Sequence, residues 1–182
     1  MNAFIDISGT VIHTPRLTLR PWRETDLADF YEYCKVDGVG QMAGWLPHEN
    51  MDVSKAVLDG FIKGKADFAL EYQGKVIGSL GLNAYPEDRF PQFSYLRGRV
   101  IGYVLSKDYW GQGLMPEAVQ AVIDYAFSTL RLDFLLVGHF HRNDRSRRVI
   151  EKCGFTYIGD GIHQTRYGTE EPVRDYIMKR DF

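Results

Sequence analysis

Residues Arg99 to Ala118 read RVIGYVLSKDYWGQGLMPEA. The first eight are rich in β-formers and predict a strand. The run after Gly113 has helical period and predicts a helix with Met115, Val119, Val122, Ile123, Ala126, Phe127 and Leu130 on one face. Between them Gly111-Gln112-Gly113 forms a turn whose amides can point into one hollow at the positive end of a helix, a setting that suits phosphate oxygens. Pro116 fits an early helical position, where its missing N–H would have no partner anyway. Two glycines so spaced also make a plain strand-to-helix turn, so the surroundings have to decide. Two common phosphate turns are excluded: there is no G-x-x-x-x-G-K-[ST], and G-x-G-x-x-G fails at Pro116.

Working outward, FLLVGHF from Phe134 reads as a buried strand. NDRSRRVIEKC from Asn143 reads as a capped helix stopped by Gly154, and FTYIG and VRDYIMKR as two closing strands. Upstream, IHTPRLTLRPW alternates at Leu17 and Leu19 as a strand, and Thr25 and Asp26 open a helix through Tyr33. Val53, Val57, Leu58, Phe61 and Ile62 mark a second helix ending at Gly64, after which FALEY and VIGSLGL form a hairpin around Gly74. The order β-α-α-β-β-β-α-β-α-β-β has strand-helix crossovers only in its second half. It predicts an α+β, three-layer fold with one mixed sheet and helices on both faces.

At 182 residues the chain suits a single domain over 1–182 with an ample core. The 45% hydrophobic, 25% charged composition is that of a globular protein, and a net charge of -2 gives no basic field, so nucleic acid is not an expected partner. No apolar run approaches the roughly 18 residues of a membrane span, and the start carries no secretory pattern. Cys34 and Cys153 read as buried thiols of a reducing compartment, which makes the cytoplasm the expected location. A homodimer is left open.

Four elements together resemble the GNAT acyl-CoA N-acyltransferases, and within them the RimJ/RimL-like branch: Ile101-Gly102-Tyr103, Trp110 to Ala118, Asn143 to Ser146, and Lys152 to Phe155. TPRLTLRPW and RDYIMKRDF resemble the family's opening and closing strands, so the likeness spans nearly the whole chain and is thinnest between residues 35 and 66. It implies a GNAT-like sheet in which the RVIGYVLS and FLLVGHF strands splay to form a cleft, and acetyl-CoA as the acyl donor, with no metal. Carried over, the amides of Gly111, Gln112, Gly113, Leu114 and Met115 would hold the pyrophosphate, and backbone groups of Val104 and Leu105 would pair with pantetheine. Asp108 departs from the family's signature at a position whose contacts come mostly from backbone.

Asn143 and Ser146 have a plain reading as helix cap and first-turn residue. The resemblance adds a pantetheine contact for Asn143 and protonation of the departing thiolate for Ser146. Of the four arginines Arg142, Arg145, Arg147 and Arg148, one or two, Arg148 among them, would meet the 3′-phosphate. The branch often carries an acidic residue where this chain has Val100, so no carboxylate base is carried over. His139 is the expected base, two residues from His141 on the same strand face, with Glu71 and Tyr103 as alternatives. The expected reaction is direct attack of a primary amine, a protein N-terminus or a small molecule, on the thioester in a ternary complex. The competing class is a non-catalytic acyl-CoA-binding regulatory module. The loops Trp45–Asn50, Tyr85–Gln92 and Gln164–Pro172 are expected to shape the acceptor pocket, with Glu87, Asp88, Glu170 and Glu171 as candidate contacts for a cationic amine.

Overall fold

The structure, a computed structural model, describes residues 1–180; Asp181 and Phe182, the end of the RDYIMKRDF stretch, lie outside the described residues. Among the described residues four α-helices, α1 (Leu27–Cys34), α2 (Met51–Gly64), α3 (Leu114–Ser128) and α4 (Asp144–Lys152), accompany eight strands. These are β1 (Ile12–His13), β2 (Thr18–Pro21), β3 (Asp67–Tyr72), β4 (Lys75–Asn83), β5 (Gly98–Leu105), β6 (Phe134–Phe140), β7 (Thr156–Gln164) and β8 (Glu170–Lys179). They form one sheet in the order β1-β2-β3-β4-β5-β6-β8-β7. The mixed, helix-flanked sheet expected from the sequence is present, with one more strand. IHTPRLTLRPW does not run through, because the chain reverses at Pro15 where Thr14 N–H donates to the Leu17 carbonyl at 2.9 Å, and β1 then pairs back on β2. The closing strands are also longer than FTYIG and VRDYIMKR suggest, since each supports the other across the hairpin.

The β3/β4 turn is made by Gln73 and Gly74 at φ 51° and 81°, the positive pair that a two-residue hairpin requires. Asn50 caps α2 by accepting from Val53 N–H at 3.1 Å. Below the sheet Leu114, Met115, Ala118, Val119, Val122 and Ile123 of α3 pack with Ile150 and Cys153 against Leu70, Leu80, Leu82, Ile101 and Val137. Above it Phe30, Tyr33 and Cys34 of α1 and Leu58 of α2 cover Trp22, Ala69 and Val76. Each buried Val, Leu, Ile, Met or Phe among them contributes roughly 1.5–3 kcal/mol. Cys34 and Cys153 are both free and buried, and burial pushes the Cys153 thiol up to about 11, out of the reactive range.

All neighbouring pairs are antiparallel except β5 and β6, which the α3 crossover makes parallel. That ladder is short: Gly98 to Ile101 pair with Phe134 to Val137, and no pairing follows. Gly98 is required at its start, since a Cβ there would overlap the Phe134 ring. Beyond Ile101, β5 continues on β4 to Leu105, while β6 continues on β8 to Phe140. The two middle strands thus part within the sheet. Among the described residues no helix is long and apolar enough to cross a membrane.

One polar feature of the upper face is costly. Asp67 opens β3 opposite Gly81 with no hydrogen-bond partner among the described residues, and burial raises its carboxyl to about 6. The folded state therefore binds this proton more tightly than the unfolded chain, so stability is gained as pH falls through 6 towards the unfolded value near ~3.9. Asp67→Asn is expected to stabilise the protein by about 3 kcal/mol at pH ~8, with the difference gone by pH ~4, as read from urea unfolding at both pH values.

Candidate active site

The parting of β5 and β6 opens a cavity of about 760 Å³ lined by both strands, the glycine turn, the start of α4 and the loop around Met42. Tyr103, Val104, Leu105, Gly111, Gly113, Leu114, Met115, His139, Asn143, Ser146 and Arg148 all line it. Of the turn residues and the candidate bases, two do not. Gln112 turns its side-chain amide back to the Asp108 carbonyl at 3.3 Å, which leaves only its backbone for a ligand. Glu71 lies away from the cavity and is bound to the buried Arg20 at 2.7 Å, in a cluster with Asp26.

Gly111 and Gly113 both sit at φ 77°, the left-handed region that glycine enters without cost. This curls the chain so that the N–H groups of Gly111, Gln112, Gly113, Leu114 and Met115 reach α3's start with no protein acceptor among the described residues. Glu117 N–H is the first to bond back, to the Gly113 carbonyl at 3.3 Å. A Cβ at Gly111 would meet open space, so the positive φ and not crowding is what favours glycine there. Five unpartnered donors at a helix N-terminus suit an anion of pyrophosphate size. The turn is braced by a residue the sequence reading passed over. Arg16 Nε donates to Glu117 at 2.7 Å and its Nη1 to the Gln112 carbonyl at 2.9 Å. Burial alone would raise the Glu117 carboxyl, but the bonds from Thr14 and Arg16 outweigh it and hold the group below its ordinary value. Nothing in the local pattern signals this brace, because its partners are about a hundred residues apart.

The strand gap corrects the expectation for Val104. Ser106 N–H donates to the Ile77 carbonyl at 2.7 Å, which phases the antiparallel ladder. By alternation the backbone groups of Val104 point at β4, and those of Tyr103 and Leu105 point into the gap. Leu105 is half committed, since its carbonyl accepts from the Trp110 indole N–H at 2.9 Å. The groups open to a strand-like ligand arm are those of Tyr103 and the Leu105 N–H.

On the far side, Asn143 Oδ1 accepts from Ser146 N–H at 3.1 Å, the capping role read from the sequence, while its Nδ2 donates to the Met42 carbonyl at 3.3 Å. Ser146 Oγ lies 2.7 Å from the Tyr103 hydroxyl, bridging the gap from α4 to β5. Burial holds the Tyr103 phenol well above its ordinary value, so it keeps its proton at neutral pH. The four arginines divide. Arg142 pairs with Glu171 and Arg147 with Asp144 and Glu151, whereas Arg145 lies over the Trp110 ring at 4.4 Å and Arg148 lines the cavity without an ion-pair partner among the described residues.

The histidines depart from expectation. His139 is 4% exposed, and its Nδ1 contacts the Phe140 carbonyl at 2.8 Å, which fixes that nitrogen as the donor. Nε2 is then the acceptor for the Tyr176 hydroxyl at 3.2 Å, and neither nitrogen remains for a substrate proton. His141 lies beyond the end of β6, exposed beside Asp160. The expected acidic contacts also fall elsewhere: none of Glu87, Asp88, Glu170 and Glu171 lines the cavity, Glu87 being bonded to Asn2 and Glu171 to Arg142. Of the three expected acceptor loops only Tyr85–Gln92 lines it, through Tyr85, Pro86, Arg89 and Phe90; the other acceptor-side walls are Asn83, His163, Val173 and Asp175.

The comparisons agree with this geometry. Residues 16–156 match the family model described as an acetyltransferase (GNAT) domain. The "Probable N-acetyltransferase YjcK" of Bacillus subtilis (strain 168) is 46% identical over 67 residues, 35% of this chain and only 37% of that relative's length. The "Uncharacterized N-acetyltransferase p20" of Bacillus licheniformis is 29% identical over 156 residues, covering 81% of this chain and 83% of the relative. Among solved structures, an acetyl transferase of Salmonella typhimurium described as modifying the N-terminal serine of 50S ribosomal subunit protein L7/L12 superposes with a TM-score of 0.76 at 19% identity, covering 94% of this chain and all of that one. With the glycine cradle, the parted strands and a family match over most of its length, the chain belongs to the GNAT acetyltransferase family, whose acyl donor is acetyl-CoA.

Proposed function

We propose that the protein transfers an acetyl group from acetyl-CoA to a primary amine by direct attack within a ternary complex. The observation that carries the reading is the continuity of the five free amides at α3 with the unpaired edge of β5: together they fit a pyrophosphate joined to an extended amide-bearing arm. Acetyl-CoA supplies the thioester carbonyl. The residues 111–115 hold the phosphates through backbone, Arg148 lies open to a further phosphate, and Tyr103 and Leu105 align the arm. Ser146, bonded to a phenol that stays protonated, is the donor to the leaving thiolate. Asn143 keeps Ser146 in place by capping α4, and His139 keeps Tyr176 in place.

Residues 1–182 act as one catalytic domain in this reading. β8 lies outside the matched segment, yet it pairs with β6 from Phe134 to Phe140 and so holds one wall of the gap. The acceptor is a protein N-terminus or a small-molecule amine, a choice supported by the breadth of the cavity and by the activity named for the Salmonella fold neighbour. Two unpaired buried thiols fit a cytoplasmic setting.

Gly113→Val places a β-branched side chain at a positive φ within the turn, with its Cβ against the Arg16 guanidinium that braces the cradle. It is expected to abolish the rise in melting temperature that acetyl-CoA gives the wild type, and unchanged acetyl-CoA affinity in the folded variant would remove the cradle from the reading. CoA release measured over a panel of peptide N-termini and small amines tests the transfer itself, and binding of acetyl-CoA without turnover on any amine would reject it. On an active amine, Ser146→Ala is expected to lower kcat about 100-fold with acetyl-CoA affinity retained. A loss of binding in step with kcat would reassign Ser146 to the donor site.

A further inference from the structure

The acceptor side of the cavity has an unusual floor. Gly102 on β5 and Gly138 on β6, the first residue past the last β5/β6 pair, both line the cavity, so at these two positions neither strand sets a Cβ on the upper face of the gap, and the Asn83 amide borders Gly102. Gly138 is paired in turn with Asp175 on β8, which puts the Asp175 carboxyl on that same face. Among the described residues only one of its oxygens has a partner: Oδ2 pairs with the Arg89 guanidinium. The other, Oδ1, leans over Gly138 so closely that a Cβ there would lie 3.2 Å from it. Asp175 lines the cavity and its side chain is 14% exposed. Among the described residues no other acidic side chain lines it.

Resting on the transfer reading above, we propose that Asp175 is the residue that receives the acceptor: Oδ1 binds the incoming ammonium over the Gly102–Gly138 floor and takes its proton, while Arg89 holds the carboxylate in place. The acceptor class is a primary amine that arrives as a cation. With glycine at 102 and 138, no Cβ of these two residues stands between the nitrogen and the gap, and the side chains that border the approach are the Asn83 amide and Asp175 itself. The ammonium passes one proton to Asp175 and on to water, and its freed lone pair forms the C–N bond to the thioester carbonyl as the C–S bond breaks. Of the two protons the nitrogen sheds, one reaches water through Asp175 and the other ends on sulfur by way of Ser146. This also accounts for how the chain can do without an acidic residue at Val100.

Burial raises the Asp175 carboxyl above its ordinary value, against the opposing pull of Arg89. Asp160 raises it further from β7 and His163 lowers it from the same strand. His139 on β6 also lines the cavity but is bonded to Phe140 and Tyr176. Activity should therefore fall on the acid side as Asp175 takes up its proton. Removing Arg89 removes a lowering influence, so Arg89→Gln should move that acidic limb to higher pH.

The test uses an amine on which the wild type turns over, so that the transfer is established independently of this assignment. Asp175→Asn is expected to lower kcat at least 100-fold, to weaken the amine at least 10-fold in a dead-end complex with CoA measured by calorimetry, and to leave acetyl-CoA affinity within twofold, which also shows the variant is folded. Asp175→Glu should recover part of the rate, and Arg89→Gln should shift the limb upward. Asp175→Asn with wild-type kcat, or an acidic limb unmoved in both variants, overturns the assignment while leaving the transfer reading standing. A wild type that binds acetyl-CoA and acetylates no amine overturns both.

Discussion

Everything functional in this molecule depends on the early end of one ladder. β5 and β6 pair over four residues each and then part, although both continue, because each has a stronger commitment on its other side: β5 to β4 through Leu105, β6 to β8 through Phe140. Backbone groups exposed inside a sheet carry a cost unless water or a ligand meets them. The fold confines that cost to Tyr103 and Leu105 and offsets part of it within the chain, through the Trp110 indole on the Leu105 carbonyl. The remaining groups lie in line with five amides at the start of α3, so a single extended ligand can satisfy both sets at once.

The donor half of the site could be read from the chain because it is local. Gly111 to Met115 and Asn143 to Ser146 are short runs whose backbone geometry follows from residue type: glycines for positive φ, an asparagine for a cap. Even there, period-two reasoning needs a phase, and nothing before the fold fixes whether Val104 or its neighbours face the gap; the bond from Ser106 to Ile77 decides it. The helices and the mixed sheet followed from hydrophobic period in the same way. The extra strand did not, because the reversal at Pro15 sits inside an alternating run that otherwise reads as continuous.

The acceptor half was opaque for a physical reason. Its walls come from Met42, Asn83, Arg89, His163 and Asp175, which no short window contains, and their roles follow from strand register and not from composition. A histidine at position 139 looked available because sequence cannot show that Tyr176 lies 3.2 Å from one nitrogen and a carbonyl 2.8 Å from the other. Glu87 and Glu171 are taken up by Asn2 and Arg142, partners distant in sequence, and the carboxylate that lines the cavity lies within a strand whose pattern gave no sign of it.

The brace at Arg16 gives the chain's opening segment a mechanical share in cofactor capture. Thr14 and Arg16 reach Glu117 on α3, and Arg16 also holds the Gln112 carbonyl, so the curl of the glycine turn is set partly from a strand's run-in a hundred residues upstream. The first strands and the phosphate cradle therefore form one stiff unit. A change at Thr14 or Arg16 therefore reaches the anion site through Glu117 and the Gln112 carbonyl, although neither residue lies in the turn.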